Sequence, residues 1–185
     1  MGNGQGFKVG LVSQLLEDTQ LEQIISLGVA HFVDAYRIDE DEPAQRLAGA
    51  RERWELRLSQ LLQRTQCQIK TPMNFPPTSL ILSQDLQTGR VAGFLYADRL
   101  IEPPDSCDVR FVVVHQAFRR QGLLVRMLDE LARHYSTIKL DCKDERFFTG
   151  AGFVVTGQSG THKMMERSGC RGKTAYAEQL QDNAT

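Results

Sequence analysis

The chain has 185 residues, with 22 Lys and Arg against 23 Asp and Glu, a formal net charge of −1 and 41% hydrophobic residues. That length suits one domain with a buried core, and the near-neutral charge supplies no basic field to attract nucleic acid or an anionic membrane. The four cysteines, Cys67, Cys107, Cys142 and Cys170, are scattered without a C-x-x-C pair, which argues against a zinc site and against a disulfide-stapled secreted fold. They read as free thiols, and no metal is expected. With no apolar leader in residues 1–10 and no stretch of ~20 apolar residues, the expected location is the cytoplasm.

After glycine-rich residues 1–6, Phe7–Ser13 alternates as a first strand. Thr19-x-x-Glu22 has the form of a capping box, and Leu21, Ile24, Ile25, Gly28, Val29 and Phe32 continue a helical face from it. Asp39–Pro43 is an acidic break with Pro43 placed to start a second helix, whose buried stripe is Leu47, Ala50, Trp54, Leu58, Leu61 and Leu62. The prolines of Thr71–Pro77 predict a loop or bulged edge. Ser79–Ser83 and Arg90–Ala97 then read as a hairpin around Gln84–Gly89, with Gly89 supplying the unusual backbone angles, and Cys107–Val114 as the next strand after Pro103 and Pro104.

The stretch Asp108–Leu128 organises the rest. Phe111–Val114 is the longest purely β-branched and aromatic run, and beyond it Leu124, Met127, Leu128, Leu131 and Tyr135 recur at helical spacing. Between them lies Arg119-Arg120-Gln121-Gly122, where a helix N-terminus leaves N–H groups without internal partners. Those amides, the positive end of the helix dipole and two arginines favour an anion such as a pyrophosphate. Thr137–Cys142 is a short strand that a right-handed crossover lays parallel to Cys107–Val114, and two parallel strands that splay apart leave a slot. Lys143–Ala151 reads as a brief helix, and Val154–Thr156 pairs with Thr161–Met165 across Gly157–Gly160. The expected organisation is one domain over residues 7–167, with 168–185 a mobile polar tail that has one helical turn near Ala177–Leu180.

Val114-His-Gln-Ala-Phe-Arg119-x-x-Gly122-x-Leu124 resembles the acyl-CoA signature of the GNAT superfamily of N-acetyltransferases, and the order of elements is similar to that family's. The resemblance implies an α/β (α+β) GNAT-type acyl-CoA N-acyltransferase fold, a mixed sheet of about six or seven strands with flanking helices, and acetyl-CoA as co-substrate. By the same resemblance, backbone at Val112, Val113 and Val114 meets the pantetheine arm, and Arg119, Arg120, Gln121, Gly122, Leu123 and Leu124 hold the pyrophosphate. Leu140-Asp-Cys142, Phe147-Phe148, Ala151-Gly152-Phe153 and a Met-containing last strand look most like the glucosamine-6-phosphate N-acetyltransferase branch, over residues 79–167. Phe148 stands where that branch has a cofactor-side Tyr that protonates the departing thiolate, and Leu124 stands where the family has Gly or Ala. Arg110 and Phe111 replace an acidic pair, so the amino-sugar substrate does not carry over.

Moving an acetyl group from a thioester to an amine needs a neutral amine, a polarised carbonyl and a tolerable leaving group. Backbone N–H groups of Val112–Val114 stabilise the oxyanion if the strand end is bulged away from its neighbour. Asp108 is the candidate general base, because its offset before Val114 matches the catalytic Glu of histone-acetyltransferase-like members. Simple strand alternation puts it on the face of Val112 and Val114; the alternative is a solvated Asp at a strand start. Phe148 cannot donate a proton, so Tyr135, Cys142 or Tyr96 serves as acid, or the thiolate leaves unaided. His115 reads as a loop residue and Trp54 as core.

The function this points to is acetyl transfer to a primary amine of a small molecule. A protein or peptide acceptor drawn by Asp39–Glu42, and a CoA-binding regulatory module without turnover, are the alternatives. Nucleic acid and membrane are not expected partners. The family often forms homodimers, and no residue pattern here marks a patch for one.

Overall fold

The computed structural model describes residues 6–36, 44–71, 77–103 and 105–170, with backbone alone for 33–36 and 44–48. The chain runs β1 (Phe7–Leu11), α1 (Asp18–Tyr36), α2 (Ala44–Lys70), β2 (Thr78–Asp85), β3 (Val91–Arg99), β4 (Ser106–Val114), a 3-10 turn (Gln116–Phe118), α3 (Leu123–Ala132), β5 (Thr137–Cys142), α4 (Arg146–Thr149), β6 (Val154–Ser159) and β7 (His162–Ser168). The strands form one sheet in the order β1-β2-β3-β4-β5-β7-β6. Pairing is antiparallel except between β4 and β5, which the α3 crossover makes parallel. The acidic break at Asp39–Pro43, the Leu47 side chain, residues 72–76 of the proline loop and residues 171–185 of the predicted tail lie outside the described residues.

Alternation along the strands divides the side chains into two layers. On one face Ile81, Leu95, Cys107, Val109, Ile138 and Leu140 pack under α3, whose Met127, Leu128 and Leu131 are fully enclosed. Each such side chain contributes about 1.5–3 kcal/mol by leaving water. On the other face Leu80, Leu82, Phe94, Tyr96 and Val113 pack against Ile24 of α1 and Leu58 and Leu62 of α2. The stripe predicted on α2 is therefore real from Trp54 onward, and Trp54 is core: it stacks on Phe32, meets Phe111 edge-on at 4.5 Å and donates its indole N–H to the Gly28 carbonyl.

The start of α1 differs from the expected capping box. The helix begins at Asp18, so Thr19 lies inside the first turn. Glu17 is the residue whose carbonyl accepts from the Gln20 and Leu21 amides, and the Gln20 side chain reaches back to the Glu17 N–H at 3.0 Å. A Gln at the third helical position can do this as well as a Glu, which shifts the box two residues toward the N-terminus. The β2–β3 hairpin is as expected, with Gly89 at φ 68° and Asp85 accepting from the Gln87 amide and the Thr88 hydroxyl.

Candidate active site

β4 and β5 pair only from Ser106↔Thr137 to Val109↔Leu140. Beyond that point β4 follows β3 as far as Gly93↔Val114, while β5 follows β7 as far as Cys142↔Lys163. The sheet opens between them, giving the slot that the sequence led us to expect. Val112, Val114, Leu124 and Phe148 are half-buried against the α3-side core, and Cys142 ends β5 in the same cluster. The slot is thus apolar on that side.

The parting coincides with a bulge. Tyr96 of β3 opposes Phe111 and Ala97 opposes Val109, so Arg110 is an extra residue in β4. The two cores record its effect: Cys107, Val109, Val112 and Val114 all contact the α3 side, although Val109 and Val112 are three residues apart, while Phe111 and Val113 contact the α1/α2 side. Asp108, between Cys107 and Val109, therefore faces the α1/α2 side with Phe111 and Val113. This corrects the simple alternation that places Asp108 on the face of Val112 and Val114; one inserted residue reverses every position before it relative to every position after it.

The same ladder sorts the three valines. The His115 N–H donates to the Ala92 carbonyl of β3 at 2.9 Å, and N–H directions alternate along a strand. The Val113 amide hence points to β3 as well, whereas those of Val112 and Val114 point into the opening. The Val114 carbonyl, on that open side, accepts from Arg119 Nε at 3.3 Å. Only Val112 and Val114, not Val113, can offer N–H groups to a carbonyl oxygen in the slot.

Next to the slot, the chain makes the turn that begins α3. Arg120 has φ 62° and Gly122, the helix cap, φ 73° with no side-chain cap bond. The first intrahelical bond runs from the Arg126 N–H to the Gly122 carbonyl at 3.0 Å, so the N–H groups before it have no intrahelical acceptor. Gly122 supplies the left-handed angle without strain, and open space surrounds its Cα. Arg119, Arg120 and Gln121 are exposed around the turn, while Leu123 is buried and secures the helix to the core. Arg126 ties the helix to β1 through the Phe7 carbonyl at 2.8 Å. His115 caps the 3-10 turn by accepting from the Ala117 amide at 3.2 Å, a structural role.

Asp108 is half-buried. Burial raises its carboxyl above the usual range; Arg110 and Lys139 pull it down, and Asp141 and Asp98 push it up, with burial prevailing. Arg110 places Nη1 2.8 Å from Asp108 Oδ2 and donates from Nε to Asp98 Oδ2 at 2.9 Å. A carboxylate raised in this way is a stronger base than a solvated Asp. Arg110 itself was read from the sequence only as a departure from a motif. The signal that exposes it is the register across two strands, which one strand's sequence does not contain.

Of the three acid candidates, Tyr135 is engaged with Ser79, hydroxyl to hydroxyl at 2.9 Å in the α3-side core. Tyr96 is buried on the opposite face beside Thr78 and Arg64. Cys142 is the one of the three at the mouth of the slot. Burial, with Asp144, Glu145 and Asp141 nearby, raises its thiol pKa, so it stays protonated, and its Sγ lies 3.4 Å from Met165 Sδ. Phe148 packs edge-on against Phe153 with centroids 6.0 Å apart. Among the described residues no three His, Cys, Asp or Glu side chains gather as a metal site would require, and no helix is long and apolar enough to cross a membrane.

No family model matches this chain, and no curated protein does. Solved structures do match. Aminoglycoside 6'-acetyltransferase type Ii is 11% identical over 87% of this chain and 96% of its own, with a TM-score of 0.61. Spermidine N-acetyltransferase from Vibrio cholerae, solved in complex with CoA and spermine, is 13% identical over 91% and 98%, with a TM-score of 0.57. An acetyltransferase of the GNAT family from Staphylococcus aureus MU50 is 11% identical over 88% and 99%, with a TM-score of 0.56. The seven-stranded mixed sheet with flanking helices is the fold of these GNAT acyltransferases.

Proposed function

We propose that this chain, with its GNAT fold, is an acetyl-CoA-dependent N-acetyltransferase that acts on the primary amine of a small molecule by direct attack on the thioester. The observation that carries the reading is the parting of β4 from β5 after Val109, directly beside the uncapped turn at Gly122. Acetyl-CoA supplies an activated acyl group and a thiolate leaving group. The residues fit it: open amides and Arg119, Arg120 and Gln121 for the phosphates, and the apolar walls of Val112, Val114, Leu124 and Phe148 for the arm. Leu124 packs partly buried against the same core cluster as Val112 and Val114.

The N–H group of Val112 or of Val114 holds the carbonyl oxygen and the charge that develops on it, since amides two residues apart on a strand, roughly 7 Å, do not share one oxygen. Asp108 takes the proton that the amine nitrogen loses as the new C–N bond forms and the C–S bond breaks. Asp108 and Val112 are four residues apart, roughly 13 Å along an extended strand, too far for a single bridging water, so the proton reaches Asp108 through a chain of waters. The thiolate leaves either with a proton from Cys142 or unaided, since a thiol pKa of about 8.5 makes it a tolerable leaving group. Leu140-Asp-Cys142 on β5 and Phe147-Phe148 on α4 support kinship with the glucosamine-6-phosphate N-acetyltransferase branch, while Arg110 and Phe111 separate the acceptor from that branch's amino sugar.

The test is calorimetric titration of the protein with acetyl-CoA and with CoA, repeated on Gly122→Trp, followed by an amine screen. A Cβ at Gly122 meets nothing within 4 Å, so the bulk of a Trp lies over the turn at the cost of backbone strain, and Gly122→Asn, which tolerates the left-handed angle, serves as the control for that strain. Saturable binding lost in the Trp variant, with transfer to small amines, is expected. No binding by the intact protein would overturn the proposal. Binding without transfer to any amine would leave a CoA-binding module, and transfer only to lysine-rich peptides would move the acceptor to protein.

A further inference from the structure

The extra residue of β4 does more than change the strand's parity. Asp98 and Asp108 are direct cross-strand partners, a pairing of like charges that is unfavourable unless something lies between them. The Arg110 guanidinium does so, with Nε on Asp98 and Nη1 on Asp108 at the distances above. A planar fork reaches two carboxylates at once, and a lysine ammonium does not reproduce that geometry. Both contacts use Oδ2 atoms, which leaves Oδ1 of Asp108 for an incoming group.

We propose that Arg110 is a positioning residue of the acetyl-transfer site: it fixes the Asp108 carboxylate on the α1/α2 face of the sheet, so that the amine is met from that side while the thioester occupies the slot. The inference rests on the acetyltransferase reading. It goes beyond that reading in naming the side chain that holds the carboxylate on that face. The charged groups around Asp108 are Asp98 on β3, Arg110 on β4, and Lys139 and Asp141 on β5; Lys139 also approaches Glu166 of β7 at 4.0 Å. Without Arg110, Asp108 would share its surroundings with two other carboxylates and one lysine that is partly engaged elsewhere. Its proton would then be held to higher pH.

Two measurements on wild type, Arg110→Gln and Arg110→Lys test this. The first is carboxyl-carbon NMR titration of Asp108, assigned by the signal missing from Asp108→Asn. The second is the pH profile of kcat with acetyl-CoA and the best amine of the screen, with the amine's own titration cancelled by taking ratios to wild type. In Arg110→Gln the Asp108 titration is expected to move to higher pH, and kcat to fall on the acid side, the loss shrinking as pH rises. Arg110→Lys is expected to recover part of both shifts, and the acetyl-CoA Kd to stay within about twofold in both variants. Lowered thermal stability with an unmoved Asp108 titration would make Arg110 a strand clamp and overturn the proposal. A moved titration with an unmoved kcat profile would overturn it as well. Failure of the wild type to transfer to any amine defeats the acetyltransferase reading itself, a result distinct from transfer that is indifferent to Arg110.

Discussion

A methyl group at Gly93 would sit 2.7 Å from the Val113 carbonyl oxygen and 3.4 Å from both the Val114 Cα and the Met127 Cε. Carbon–oxygen contacts across a sheet run at about 3.3 Å or more, so Gly93→Ala is short by about 0.6 Å against backbone that cannot rotate away. Overpacking of this kind costs about 1–3 kcal/mol, offset by about 0.5–1 kcal/mol because Ala loses less chain entropy in a strand. The net is roughly 1–2 kcal/mol of destabilisation, or about 2–8 °C in Tm for a domain of this size. Relief requires the end of β4 to shift, which carries the Val112 and Val114 amides with it. Since a displacement of ~1 Å in a catalytic group costs ~10²-fold, half that suggests about a tenfold loss in kcat. The assay is urea and thermal denaturation beside steady-state kinetics, with Gly10→Ala in β1 as the reference. That glycine is also in a strand, and a methyl there would meet nothing within 4 Å, so its effect should stay within about 0.5 kcal/mol. If Gly93→Ala proved as stable as Gly10→Ala and equally active, the close approach of β3 and β4 would have no bearing on the site.

Asp108→Asn is expected to lower kcat by about 10²-fold with the acetyl-CoA Kd unchanged; kinetics like those of wild type would remove Asp108 from the reaction. The same variant tests the sign of the pH linkage. A carboxyl raised by burial adds stability that is complete below its unfolded value of about 3.9 and is lost as pH rises through its folded value. The neutral amide should therefore melt higher than wild type at neutral pH, and the difference should close on acidification. Tyr135→Phe is expected to destabilise by about 1–2 kcal/mol by leaving the Ser79 hydroxyl unpaired in the core, with kcat unaltered; a large fall in kcat without loss of CoA binding would restore Tyr135 as the acid. Phe148→Tyr should raise kcat below a pH of about 8.5, where thiolate departure benefits from a proton, and have little effect above it. A flat ratio to wild type across pH would show that leaving-group departure is not limiting.

The order of strands and helices was legible because each rests on a local period: alternation in Arg90–Ala97, the apolar stripe through Leu58 and Leu62, the change of spacing after Val114. The turn at Gly122 was legible too, since a glycine at the start of a helical stripe is itself a geometric statement. What escaped depends on residues far apart in the chain. The reversal at Arg110 exists only relative to Tyr96 and Ala97. The commitment of Tyr135 follows from Ser79, 56 positions earlier. The turning away of Val113 follows from the pairing of His115 with Ala92. The start of α1 failed for a different reason: two overlapping caps fit the local pattern, and Gln20 folding back on Glu17 decided between them.

The doubled position in β4 also bears on how this chain can vary. Loss of Arg110 by deletion would close the bulge and restore simple alternation with every remaining side chain on its present face, Cys107, Val109 and Val112 under α3 and Asp108 with Phe111 on the other side. Deletion of Arg110 should therefore be tolerated by the core, its loss being felt at the Asp98 and Asp108 carboxylates that it joins. Related sequences can therefore lack the extra residue and still present their acidic position on the α1/α2 face.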